Sequence, residues 1–516
     1  MTLLDAVIFL PLVAFLVCLV LPKDNPGLIR MFSLISSCGI FIASLGLLGP
    51  YWFQTPAKFV YETNLPWIDS PAIRYHVAID GISLWLVLLT TLLTPLCVLV
   101  SWRSIDKHVK QFFAFLLLLE FGLVGVFCAF DFFLFYVFWE VALVPMYFLI
   151  GVWGHERRIY SAVKFFLYTM AGSMLMLVAI IYLYNAAGTF DYSRILAGIQ
   201  NGSIPLSSQE QLLLFLAFFI AFAIKVPLFP LHTWLPDAHV EAPTAGSVLL
   251  ASVMLKMGTY GLLRFCVPMF PSAAHSCANW IVTLAIIGIV YGALVAMVQP
   301  NMKKLVAYSS VSHLGFVVLG IFTFTQQGFD GAVYQMLNHG ISTGALFLLV
   351  GFLYERRHSL EIASYGGVAT PAPNLSTVFM ITMLASIGLP MLNNFVGEYL
   401  VLQGASFVYF RWSVFAALGS ILAACYMLWL YQRIFFGKAS EDLSHHMPDL
   451  NFREYAIIVP LILLMVWMGT FTQSFIPSIS ASNTVLLGPV ETGRDVHVRS
   501  SPRRLDAASK ELANAR

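Results

Sequence analysis

Four ionisable side chains stand near the middle of apolar runs long enough to cross a bilayer. Glu140 lies in "DFFLFYVFWEVALVPMYFLIGVW", Lys225 and Lys256 in "FAIKVPLFPLHTWLPDAHVEAPTAGSVLLASVMLKMG", and Glu398 in "ASIGLPMLNNFVGEYLVL". Such groups cost about 2.5–3.5 kcal/mol each on insertion scales, so each requires a reason. Carboxyl and ammonium share one reaction, the gain and loss of a proton. A lysine does this near neutral pH only where burial lowers its pKa, and a glutamate only where its pKa is raised or a cation stands nearby. One Glu–Lys pair can simply pin two helices together. Four such groups, joined by His232, His313 and His339 at similar depth, point instead to a chain of titratable sites. An opposed Glu140–Lys225 pair would hold both groups charged and release a proton when drawn apart.

The histidines carry less weight, because a lone histidine in a bundle is commonly a structural donor. His313 follows "AYSSVS" and His339 follows "YQMLN", so hydroxyls and amides that order water surround both. Glu120, central in "FFAFLLLLEFGLVGVF", fits either a structural or a relay role. Asp131 is expected at the interface and Arg264 is expected to snorkel outward. His445 and His446 lie in a polar loop and receive no function.

Two of the charged spans are interrupted. Pro227, Pro230 and Pro236 follow Lys225, and Gly388, Pro390 and the Asn393–Asn394 pair precede Glu398. Proline inside a helix frees carbonyls, and at membrane depth these are tolerated only within protein or beside water. A break therefore supplies the polar surroundings in which a buried charge can titrate. Paired interrupted spans, each with its charge near the break, are the pattern of inverted-repeat transporters.

The elements that position these residues follow from composition. Of 516 residues, 59% are hydrophobic and 10% charged, at a mean hydropathy of +0.82; a soluble domain carries about 25% charged residues. The chain reads as an all-α polytopic membrane protein. Spanning runs fall at about 3–21, 29–49, 81–101, 111–129, 131–153, 160–185, 210–229, 244–268, 278–298, 304–324, 330–352, 373–408, 412–436 and 455–475, about fourteen in all. The seventh and twelfth are the broken ones. The first run lacks a preceding Lys or Arg and a following small-residue cleavage site, so it reads as a span rather than a cleaved signal.

Lys and Arg gather in the odd-numbered loops (Arg103, Lys107, Lys110; Arg157, Arg158; Lys303, Lys304; Arg356, Arg357; Lys438, Arg453). Those loops are expected in the cytoplasm and both termini outside. The seven cysteines include no CxxC pair, and no GxGxxG or Walker loop occurs. Neither a redox cofactor, a metal, a nucleotide nor a nucleic-acid partner is expected on this chain. The stretch from Glu491 onward is polar and reads as a soluble tail.

"KVPLFPLHTWLPDAHVEAPTAGSVLLASVMLKMGTYGLLR" closely resembles the signature of the antiporter-like subunits of respiratory complex I, the proton-translocating NADH–quinone oxidoreductases. Multi-subunit Na⁺/H⁺ antiporters and membrane-bound hydrogenases share the superfamily and form the alternative. The resemblance covers nearly the whole chain before the tail. Glu398 in "NNFVGEYLVL", where sister members carry lysine, "FYVFWEVALVPMYFLIGVWG" and "NMKKLVAYSSVSHLGFVVLG" favour one particular complex I subunit. So does the absence of a long lateral helix after the fourteenth span.

The resemblance implies helices 1–3 over 1–110, a first five-helix repeat over 111–268 (helices 4–8) and an inverted second repeat over 278–436 (helices 9–13). A loop and helix 14 would occupy 437–490, and the tail 491–516. It also implies that Glu140 pairs with Lys225, that Lys256 is central, that Glu398 is the terminal carrier, and that His232, His313 and His339 connect them. No cofactor is implied on this subunit: NADH, FMN, iron–sulfur clusters and quinone belong to companions. The implied partners are the other membrane subunits, including the other antiporter-like ones, and the lipid of a bacterial cytoplasmic membrane.

Overall fold

The computed structural model describes residues 2–53, 59–438 and 447–500, without the side chains of 52, 53 and 491–500; His445, His446 and the final residues 501–516 lie outside these. An N-terminal unit contains α1 (Leu3–Val20), α2 (Pro26–Leu45), the hairpin β1 (Val60–Ile68) and β2 (Ile73–Ile79), and α3 (Ser83–Ser104). Next come α4 (Val109–Cys128), α5 (Phe132–Trp153), α6 (Arg158–Ala187) and the short α7 (Tyr192–Gln200). They lead to α8 (Ser208–Lys225), α9 (Trp234–Glu241) and α10 (Thr244–Met269). A second set follows: α11 (Pro271–Met297), α12 (Met302–Ile321), α13 (Gln326–Arg357), α14 (Pro373–Ser386), α15 (Asn393–Val408) and α16 (Phe410–Phe435). The described chain closes with α17 (Phe452–Thr470) and α18 (Ile476–Ser500).

Local chemistry sets the starts. Thr2 and Asp5, Ser207 and Glu210, and Asn451 and Glu454 form reciprocal capping boxes at α1, α8 and α17. Pro26, Pro271 and Pro373 open their helices, where the missing N–H is not needed. Among the described residues, thirteen helices are long and apolar enough to cross a membrane. The expected span missing from these is the broken twelfth, which is the pair α14 and α15, each too short alone. The polar stretch expected as a loose tail differs: residues 491–500 continue α18. That helix starts on packed ground, with Ser478 and Ser482 bonded to Trp85 and Gly81, and Asn483 to Asp330, so propagation carries it onward.

The five spans from α4 to α10 recur from α11 to α16, down to single hydrogen bonds. Asp131 and Asn301 cap α5 and α12, each accepting from two amides at 3.0 and 3.1 Å. Each also forms an antiparallel bridge, to Asp191 and to Glu361. Gly188 and His358 end α6 and α13 in left-handed conformation, each amide returning 2.7 Å to Tyr184 or Tyr354. After α8, Val226, Leu228 and Leu231 bond to Phe222, Ala223 and Leu228; after α14, Ile387, Leu389 and Leu392 bond to Met383, Leu384 and Leu389. Five spans is an odd number, so the second copy runs inverted through the membrane.

The middle of the bundle is formed by α10 and α13, whose apolar windows are wholly buried. The helix α10 is not uniform. Leu250–Met254 and Leu262–Cys266 are π-helical turns, and a cation stands within or just after each: Arg264 in the second, Lys256 after the first. π turns loosen the backbone ladder and occur at functional positions.

Arg264 does not snorkel outward. It is 2% exposed and bonded to Asp80 just before α3, with its guanidinium 5.4 Å from the Tyr260 ring and 5.5 Å from that of Phe130. The carboxylate, 184 residues away in sequence, gives it an inward partner and removes the reason to reach for water. This pair ties the N-terminal unit to the first repeat. Beside it, His76 on β2 is held between Asp191 at 2.7 Å and Glu62 at 2.9 Å.

Asp80→Ala or Arg264→Met alone strands a buried charge and should destabilise the bundle by about 3–5 kcal/mol. The double substitution should recover much of that loss. Thermal melting of the purified assembly checks it; a double variant no better than the sum of the two singles would remove the pair from this role.

Candidate functional site

The two helix breaks are satisfied by different means. At the first, the Trp234 indole donates to the Ile224 carbonyl at 2.9 Å, and Lys164 on α6 holds Asp237 on α9 at 2.7 Å. At the second, Asn394 donates to the Ser386 carbonyl at 3.2 Å, and Asn393 and Asn338 exchange bonds of 3.1 and 2.8 Å with one another's carbonyls. Gly388 (φ +78°) and Met391 (φ +74°) turn the chain there in the left-handed region, and Gly388 lies against the Glu398 carboxyl. The Ile224 and Ser386 carbonyls thus find their donors inside the protein.

Between the breaks runs a line of titratable groups. Lys256 is fully buried, and its Nζ reaches the Ala251 carbonyl, in the π turn, at 2.7 Å and His339 Nδ1 at 2.7 Å. The His339 and His313 rings lie tilted at 58° with centroids 5.9 Å apart. His313 Nδ1 lies 2.9 Å from Glu398 Oε1, and Ser420 donates to Oε2 at 2.9 Å. Each of these contacts joins two groups that can exchange a proton, the direction at each ring following its tautomer. The series thus alternates groups that can hold a proton with groups that can accept one. His313 and His339 each keep Nε2 buried without a protein partner.

The expected Glu140–Lys225 pair is looser. Glu140 is within electrostatic reach of Lys225, but Lys225 Nζ and Glu140 Oε1 are both buried without a hydrogen-bond partner. Lys225 rests 5.4 Å from the rings of both Trp139 and Phe165, a cation–π setting. His232 stands aside: its ring packs on Phe229 and Tyr291 at 5.7 and 5.2 Å, and both nitrogens lack partners. Asp131 sits at a helix end as expected, yet it is fully buried there as a cap.

Two residues beside the line do not stand out in the sequence. His239, on α9, is fully buried, stacks on Phe347 at 4.6 Å and has both nitrogens unpartnered. It lies within electrostatic reach of Lys256 and His339. Its signal was present, two helical turns after His232 in the same motif. Gln335, donating to Glu398 Oε1 at 3.4 Å, is the second. Glu120 is fully buried on the side of α4 turned from α5, since Gly122 and Gly125 present the other side to Ala142 and Phe138.

Inverted five-helix repeats, broken at corresponding points and threaded by buried acids and bases, define an antiporter-like membrane protein. A model of the family described as "NADH:quinone oxidoreductase/Mrp antiporter, TM" matches residues 129–424. NADH-quinone oxidoreductase subunit M of Rickettsia prowazekii is 44% identical over 472 residues, 91% of this chain and 95% of that one. NADH-ubiquinone oxidoreductase chain 4 of Marchantia polymorpha is 42% identical over 491 residues, 94% of this chain and 97% of that one. The chain belongs to this family, among its subunit M members. A chain of respiratory complex I from Thermus thermophilus with bound NADH superposes with a TM-score of 0.86 at 31% identity, covering 94% of this chain and 99% of that one. A chain of the Mrp complex from Dietzia, at 19% identity and a TM-score of 0.82 over 96% and 100% of the two chains, shares the fold alone.

Trp234→Phe and Asn394→Leu each leave one carbonyl at a break unpaired. Each should cost about 1–3 kcal/mol of stability, read as earlier thermal inactivation of the purified assembly. Unchanged inactivation would show that these donors do not hold the breaks.

Proposed function

We propose that this chain translocates protons as subunit M of an NADH:quinone oxidoreductase, the energy coming from electron transfer between NADH and quinone on companion subunits. The observation that carries the reading is the series Lys256, His339, His313 and Glu398, which crosses from the first repeat to the second with contacts of 2.7 and 2.9 Å at its ends. Ordered water belongs where buried polar atoms such as the two Nε2 nitrogens lack protein partners, and would complete transfer between the rings. Glu140 and Lys225 form the other end. Lys225, held by aromatic faces rather than by a direct ion pair, can gain or lose its proton as Glu140 approaches or recedes. Glu398 is the terminal carrier. His232 is a secondary relay group beside the first break.

The basic residues at one end of the spans support a cytoplasmic placement for that face, with both termini on the outer side of a bacterial cytoplasmic membrane. The unit boundaries follow the repeats: 1–110, 111–268, 278–436, 437–490 and 491–516. FMN, iron–sulfur clusters, NADH and quinone are bound by companion subunits, and the other antiporter-like subunits flank this one.

Glu398→Gln keeps shape and removes titration; Glu398→Lys reverses the charge but keeps a titratable group. In reconstituted vesicles, normalised to assembled complex, Gln should lose more NADH-driven pumping than Lys. The opposite order would withdraw the carrier role. Lys225→Arg should assemble, because guanidinium also stacks on aromatic rings, yet lose pumping and quinone reduction together, since it does not release its proton. Full pumping by Lys225→Arg would contradict the relay.

A further inference from the structure

Lys303 and Lys304 are adjacent basic residues at one end of α12, and a count of loop charges treats them alike. Their surroundings differ. Lys304 is partly exposed, whereas Lys303 is 4% exposed with its chain turned into the protein. Its Nζ donates to the Ala242 carbonyl at 2.5 Å and the Val240 carbonyl at 3.4 Å, the carbonyls that end α9. A helix C-terminus carries partial negative charge and favours a cation. That alone would make Lys303 a cap.

What lies on its two sides says more. Outward stand Glu241, which accepts from the Arg157 amide at 2.9 Å, and partly exposed His155, whose Nδ1 is 3.5 Å from the Tyr354 hydroxyl and whose amide donates to the Glu241 carbonyl at 3.0 Å. Exposed Glu156 and Arg157 complete the rim. Inward stands His239, one half-turn before Glu241 on the same half-helix. It lies within electrostatic reach of both Lys303 and Lys256, and its two ring nitrogens are buried and unpartnered. The half-helix α9 thus presents a rim carboxylate, a buried ammonium at its end and a buried imidazole behind, leading to Lys256.

We propose that Lys303 is the uptake group of the relay, taking protons from water at the basic face and delivering them to His239. In the step, one Nζ–H bond of the ammonium breaks as a neutral His239 ring nitrogen gains the proton. The amine is then reprotonated from hydronium at the rim of Glu241 and His155. This rests on the relay reading above and extends it to the membrane face.

The assay is NADH-driven proton uptake and quinone reduction by the whole complex in vesicles, normalised to assembled complex, with Lys256→Met run in parallel. Lys303→Arg preserves the positive charge at the end of α9 but not proton release, so it should assemble while both rates fall about tenfold or more. Lys303→His should restore part of the rate with the pH profile displaced toward acid, because imidazole titrates near pH 6.5 and lysine near 10.4. A purely structural cap predicts a normal Lys303→Arg enzyme and no displaced profile. Wild-type rates in Lys303→Arg, or failure of that variant to assemble, would overturn the proposal. If Lys256→Met loses pumping while Lys303→Arg keeps it, only the uptake role fails; if Lys256→Met pumps normally, the relay itself fails.

Discussion

An ammonium in the centre of a wholly buried helix must find every partner inside the protein, and Lys256 sets this requirement for the bundle. Its Nζ uses a carbonyl of a π-helical turn and a histidine on α13. A regular α-helix commits its interior carbonyls to the ladder, so the π turn beside Lys256 belongs to the same solution. The same holds at the breaks, where freed carbonyls are met by the Trp234 indole and the Asn394 amide. Backbone irregularity and buried charge therefore occur together, because in hydrocarbon neither is tolerable without the polar groups that accompany the other.

The inverted repeat builds the same backbone pattern twice. Caps, bridges and the backbone turns at the breaks recur in the two copies, yet the side chains that meet the freed carbonyls differ, and the charge at the first break is a lysine and at the second a glutamate. Arg264, in the second π turn of α10, is held charged by Asp80, unlike Lys256, which meets only neutral donors and acceptors. Two cations two turns apart on one helix are separated in role by what faces them.

Much of this was legible in the sequence. Prolines, glycine and paired asparagines announce both breaks, and a charge in an apolar run announces itself. Hence the span count, the broken seventh and twelfth spans, and the placement of Lys256, His313, His339 and Glu398 deep in the bundle followed from residue types and spacing. What escaped depends on facing rather than type. In helices buried all round there is no polar face to orient a side chain, so His239 could not be told from a structural histidine. Lys303 at a helix end has the appearance of a charge that only sets orientation. Arg264 has the spacing of a snorkelling charge, because its partner lies 184 residues away. The π turns left no compositional trace, and the bond-for-bond repeat is written in backbone geometry, which unlike side chains share.

The central claim is that Glu398 changes its protonation state during turnover, in step with the line from Lys256. Infrared difference spectroscopy of the reconstituted complex, triggered by NADH with quinone present, reads carboxyl protonation directly. The account predicts a transient carboxyl band that isotope labelling of glutamate shifts and that Glu398→Gln abolishes. A turnover spectrum of fully coupled enzyme in which that substitution removes no carboxyl signal would contradict it.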